Sequence, residues 1–351
     1  MTKTKKPVPQ FLDDWVVSGQ ALLLLQKHAL YGLAATRILA GFAVLGLLVS
    51  NFPFRHVLWG VASSWAAPFR EESRFDPLVR IFSDSNPGLF TFQYLLLMAV
   101  AVAVTVGWRT RLTTALLAVG LPALVERTNL LGDQGDNIIR IGLILMVFMT
   151  TNAHWSLDSR RRARGLEREV QTVGKRLWFG LPVLPSWLTS LLHNAALIAL
   201  ACQLFILYTA SALFKVQGDL WQEGTALYYP LALHEYAVFP GLNELMYANA
   251  TFLTLATYFS VYIQLFFAVG LIHPFTRRIA LIGMILMHGG IAVLMGLPWF
   301  SIAMLAFDAI FVSSRTWRWL EANIRAFRVQ VRQRLASGEK SEGRRESMTG
   351  P

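Results

Sequence analysis

Cysteine is almost absent from this sequence: Cys202 is the single one in 351 residues. No disulfide can form within the chain, and no thiolate metal site can be assembled. Placed inside an apolar run, Cys202 reads as a small buried hydrophobe. Charge is also scarce, at 15% of residues against about 25% in soluble domains. No His-x-x-x-His or HExxH spacing occurs, which argues against a dedicated zinc site. A glycine-rich phosphate loop and a GxSxG elbow are both missing. There is no internal repeat of the kind that marks inverted-repeat transporters. The opening "MTKTKK" is basic, but "PVPQFLDDW" follows where a cleavable signal peptide would have its apolar core.

What the sequence has in abundance is apolar surface, 54% of residues. A soluble core cannot hide so much over this length, so the composition implies a polytopic membrane protein. A spanning helix needs about 20 mostly apolar residues. The runs predict an all-α transmembrane bundle of eight spans, at about 30–51, 89–108, 112–129, 136–153, 188–214, 247–272, 279–296 and 299–314. Pro298 in "GLPW" separates the last two. Residues 1–29 form an N-terminal segment, with an amphipathic stretch at 11–27 suited to the membrane interface. Residues 30–315 form the membrane domain, and 316–351 a basic tail whose polar end is expected to be disordered.

The net charge of +11 is patterned between the apolar runs and does not form a basic surface for nucleic acid. Lys3, Lys5, Lys6, Arg109, Arg111, the arginines of 160–168, Lys175, Arg176, Arg277, Arg278 and the tail fall on one side of the eight-span scheme. No Lys or Arg occurs between 216 and 276. By the positive-inside rule both termini are then cytoplasmic, in a multi-pass protein of the cell membrane. The lipid bilayer is its first partner.

Ionisable groups at membrane depth are costly and therefore functional candidates. Arg37 lies early in the first span and could snorkel to the inner interface. Asp133, Asp136 and Arg140 share a face at i, i+3 and i+7, and the last two are spaced to pair. They read either as an ion pair that orients the helix or as the polar wall of an outward cavity. Lys215 ends the fifth span, and Tyr208 and Ser211 share its face. It either satisfies the helix C-terminus or serves as a half-buried base. His288, in "LMHGG", reads as a helix–helix contact or a ligand-binding group. His193 reads as interfacial.

Three stretches together carry a resemblance. "QLFILYTASALFKVQGDLWQEGTALYYPLAL" (203–233), "GDQGDNIIRIGLILMVFMTTNAHWSLD" (132–158) and "MHGGIAVLMGLPWFSIAMLAFDAIF" (287–311) resemble, in order and spacing, the HTTM superfamily. These are membrane proteins related to the vitamin K-dependent gamma-carboxylase. The "FK…G…W..GTALYY" form is similar to the bacterial sporulation-delaying-protein-B-like group. The resemblance implies a part in maturing or exporting a secreted, antimicrobial peptide, with a small partner protein and a peptide precursor as partners. It implies Lys215 as a general base, with Asp136 or Asn137 orienting the acceptor. Arg140, Tyr208, Trp221, Tyr228, Tyr229 and His288 would line the substrate pocket. A reduced quinone is the cofactor that carboxylase-like chemistry would bring. An ungapped alignment on Gly142 puts Asn137 where the carboxylase has a histidine, a departure from that enzyme. A non-enzymatic binding or immunity module and a quinone-linked oxidoreductase stand as alternatives.

Overall fold

The computed structural model of the chain describes residues 19–69, 76–165, 172–178 and 183–346. Lys3, Lys5, Lys6, Arg70, Arg74, Arg168, residues 11–18 of the expected interfacial stretch and residues 347–351 lie outside the described residues. Residues 19–24 of that stretch are helical. The chain forms two compact units, Met1–Phe311 and Val312–Pro351. No strand occurs among the described residues.

Eight apolar helices build the first unit: α1 (Leu30–Ser50), α2 (Pro87–Val106), α3 (Thr110–Val125), α4 (Gln134–Phe148), α5 (Ser186–Val216), α6 (Ala250–Gly270), α7 (Pro274–Leu294) and α8 (Pro298–Asp308). Their boundaries follow local chemistry. Asn86 caps α2 by accepting from the Leu89 N–H, and Pro87 occupies the first turn, where no donor is lost. Gly107, at φ 72°, ends α2 in the left-handed region. Asn249 accepts from the Phe252 N–H at the start of α6. Pro298 opens α8 where the sequence predicts the break.

Five of these helices, α1, α2, α5, α6 and α7, are long and apolar enough to cross a membrane. The other three expected spans are shorter. α3 contains Pro122 and gives way to a 3-10 turn at Glu126–Leu131 that is broken at Thr128. α4 has 15 residues and stops where Met149 turns extended. α8 has 11 residues and is prolonged by the 3-10 turn Ala309–Phe311.

α1 packs between α2 and α8. α3 bridges α2 and α4, and α4 also meets α5 and α8. α5, α6, α7 and α8 follow one another side by side. Leu33, Val44, Phe90, Tyr94, Leu143, Phe267 and Phe307 fill the interior. Where α1 meets the turn after α8, a Cβ on Gly32 would stand 2.7 Å from the Ala309 carbonyl oxygen. Only glycine permits this approach of the two backbones. The outward faces carry exposed Ile206, Phe214, Leu255, Val269, Ile282 and Leu286. Apolar side chains in that number on outward faces suit hydrocarbon rather than water.

Arg37 does not snorkel. It is fully buried and donates to the carbonyls of Val104 (2.7 Å), Thr105 (2.5 Å), Thr151 (3.2 Å) and Trp155 (2.8 Å). It thereby serves the Thr105 carbonyl at the end of α2 and shares that of Val104 with the Gly107 N–H. Asp158, buried in the "WSLD" stretch, accepts from the Arg109 and Thr110 N–H groups at the start of α3. It also accepts from the Thr110 hydroxyl and the Asn152 amide. His193 is buried rather than interfacial: its Nδ1 accepts from the Thr150 N–H and its Nε2 meets the His28 carbonyl.

The second unit is a helix, α9 (Ser314–Glu346). Its exposed apolar residues recur at helical spacing as far as Val331, a periodicity that the polar composition of the segment hides.

Candidate functional site

The sequence-derived candidates fall into two groups. The first lies at the start of α4. Asp133 caps that helix, accepting from the Asp136 N–H (3.0 Å), and Asp136 answers by accepting from the Asp133 N–H (3.2 Å). This reciprocal box, which fixes the α4 start, follows from the spacing of the two acids. One turn on, Arg140 donates to Asn137 Oδ1 (2.8 Å) and pairs with Glu126 from the α3 side. The Asn137 amide donates to Gln134 Oε1 (3.3 Å).

Asp133, Asp136, Asn137, Arg140 and Glu126 line a cavity of about 200 Å³, closed on its other side by Leu121, Pro122 and Val125. No aromatic side chain lines it, so it offers no ring face on which a quinone nucleus could stack. Three carboxylates stand where an apolar slot would be needed. The residues of this cavity do not fit a quinone.

The second group lies at the end of α5. Lys215 Nζ donates to Gln264 Oε1 of α6 (3.0 Å) and stands 4.8 Å from the centre of the Trp221 ring. Among the described residues no carboxylate lies within ion-pair distance of it. Asp219 and Glu223, the first acids after it in the chain, do not pair with it. α5 ends at Gln217, Gly218 begins the turn, and the short helix Asp219–Gln222 swings Trp221 back over the amine. Gln222 closes the turn by donating to the Val216 carbonyl (2.9 Å).

Two turns back along α5, Tyr208 is fully buried, and its hydroxyl donates to both carboxylate oxygens of Asp308 in α8, at 3.0 and 3.1 Å. His288 of α7 approaches the Tyr208 ring, with centroids 6.3 Å apart. It is 1% exposed, and neither ring nitrogen has a hydrogen-bond partner among the described residues. Tyr228 and Tyr229 are exposed, and Tyr228 stacks edge-on with both Tyr229 and Tyr247.

Lys215, Tyr208 and His288 thus gather on α5 and α7, while Asp136, Asn137 and Arg140 gather in the α3–α4 cavity. Phe300 of α8 stands between the two groups. Its ring packs on His288, 5.7 Å between centroids, and its backbone lies against Gly135 at the start of α4. Sequence reasoning missed Glu126, Gln264 and Asp308. Asp308 carries its own signal as the lone acid in an apolar run. Gln264 is likewise the lone amide in "VYIQLFF". Glu126 had no such mark, because its role depends on the reversal between α3 and α4.

An all-helical bundle with long lipid-facing helices and polar groups in its interior defines an integral membrane protein. The chain is similar to sporulation-delaying protein SdpB of Bacillus subtilis (strain 168). The two are 26% identical over 262 residues, covering 73% of this chain and 72% of that protein. No protein-family model and no solved structure matches the chain.

Proposed function

We propose that this is a multi-pass cell-membrane protein of the HTTM type, SdpB-like, that matures or helps to export a secreted peptide. Its eight apolar helices cross or enter the bilayer with both termini cytoplasmic. A small partner protein and the peptide precursor act with it. In this reading Lys215 is the general base. Tyr208, Trp221 and His288 shape its surroundings, and Tyr228 and Tyr229 offer exposed rings beside the entrance. Asp136, Asn137 and Arg140, in the neighbouring cavity, receive and orient a polar part of the substrate.

The observation that carries this reading is the setting of Lys215. A lysine at a helix end ordinarily satisfies the dipole or meets a carboxylate. Here an amide oxygen and an indole face hold the amine among apolar helices. Neither partner is an anion that would lock it in the ammonium form, so it can give up and recover a proton. The similarity to SdpB adds the biological context.

The test is made in the protein's own host. Deleting the gene should remove at least one small peptide from the extracellular fraction, read by mass spectrometry. Wild-type chain should restore it. Lys215→Ala and Lys215→Arg, present in the membrane at wild-type levels, should not. An extracellular peptide profile unchanged by the deletion would refute the maturation role. Full restoration by Lys215→Ala would remove the catalytic role and favour a non-enzymatic module.

A further inference from the structure

Between Ser314 and Val331, α9 exposes an unusual set of side chains. Leu320, Ile324, Phe327 and Val331 are all exposed, Phe327 at 66%. They recur at i, i+4, i+7 and i+11, which places them in one stripe along the helix. Trp319 and Val329, also exposed, lie outside that stripe. Arg328 lies beside the stripe, and Arg315, Arg318 and Arg325 lie on the opposite, polar face of the helix. Arg315 brings the arginines of this stretch to four, against the single acid Glu321, which Arg325 engages at 2.6 Å.

An apolar stripe backed by cations has two candidate covers. A second copy of the helix would bury the stripe as a heptad seam, which asks for opposite charges along the flanks. Here one flank carries Glu321 and Arg328 and the other Asn323 and Gln330, so a paired copy finds no ladder of opposite charges, and the arginines of the far face stay unused. An anionic bilayer surface meets both features at once. The stripe enters the boundary between headgroups and acyl chains, and the guanidinium groups reach the phosphates. The first unit is already a membrane protein by its helices, so such a surface is always within reach of its own chain.

We propose that α9, from Ser314 to Val331, is an interfacial helix that binds anionic phospholipid. The proposal is independent of what Lys215 does. The test uses the full chain with Cys202→Ser, reconstituted in single-protein nanodiscs, with Phe327→Cys or Ile324→Cys carrying an environment-sensitive fluorophore. In discs containing phosphatidylglycerol the emission should shift to the blue and be quenched by acyl-brominated lipid. In phosphatidylcholine discs, or with Arg315, Arg318, Arg325 and Arg328 all changed to Gln, the shift and the quenching should be lost.

Water-like emission at both positions in both discs would overturn the proposal. A blue shift that ignores lipid charge would overturn it too. So would a shift that needs two protein copies per disc, which would identify a helix pair instead.

Discussion

Changing Arg37 to methionine keeps much of the side chain's length but removes a donor from four backbone carbonyls, of which that of Val104 keeps a second, the Gly107 N–H. A buried acceptor that loses its partner costs about 1–3 kcal/mol. Several lost together should lower the melting temperature in detergent well beyond a surface change such as Arg318→Gln. Arg37→Lys should recover little of it. An ammonium group has no planar fork, and these carbonyls lie on two separate segments of chain, the end of α2 and the loop after α4. If Arg37→Lys melts with the wild type, the guanidinium geometry is not what holds the segments together. Apolarity surrounding a lone arginine told the sequence reader that the residue was special. It did not say whether the side chain reaches out to water or inward to the ends of other helices, because those carbonyls are 67 or more residues away.

At the scale of elements, the start of α3 depends on a group from outside that helix. Arg109, at φ 48°, provides no side-chain cap. The Asp158 carboxylate does this instead, from the loop after α4. Burial acts to raise its pKa. The hydrogen bonds from Thr110, Asn152 and the Arg109 N–H outweigh this and hold it below the ordinary aspartate range. A depressed folded value means that the stabilisation is fully present above the unfolded pKa, about 3.9. It is lost as pH falls from there through the folded value. Melting temperature in detergent should therefore drop on acidification below about pH 4. Asp158→Asn should melt lower at neutral pH and lose part of that acid dependence. A variant with the same acid profile as the wild type would show that other carboxylates set it. Helix positions were readable from runs of about 20 apolar residues and from Asn, Pro and Gly at their ends. The short helices were overestimated, because hydropathy continues through Thr128 and past Met149 where the backbone does not.

For the whole molecule, the number of crossings decides which polar group faces which side. The five long helices alone would be an odd number and would put the two ends of the bundle on opposite faces. The charge pattern argues against this. Arg109, Arg111, Arg160–Arg164, Arg277 and Arg278 fall on one face whether or not the pair α3 and α4 crosses, but the basic tail from Arg315 joins them only if α8 counts as a crossing too. α3 and α4 rise about 1.5 Å per residue, so each falls short of a hydrocarbon core of about 30 Å. They can still cross beside the other helices, because α2, α5 and α8 cover part of their surface and the cavity at their junction can hold water against Asp136 and Arg140. Single cysteines in a Cys202→Ser chain test the arrangement in intact cells. Ser85→Cys and Glu235→Cys should react with a membrane-impermeant maleimide. Arg164→Cys and Ser337→Cys should react only after permeabilisation. Labelling of Ser337→Cys from outside, with Arg164→Cys protected, would mean an odd number of crossings between the two positions. One of the helices α5–α8 would then not cross, and the cytoplasmic C-terminus of the proposed function would have to be abandoned.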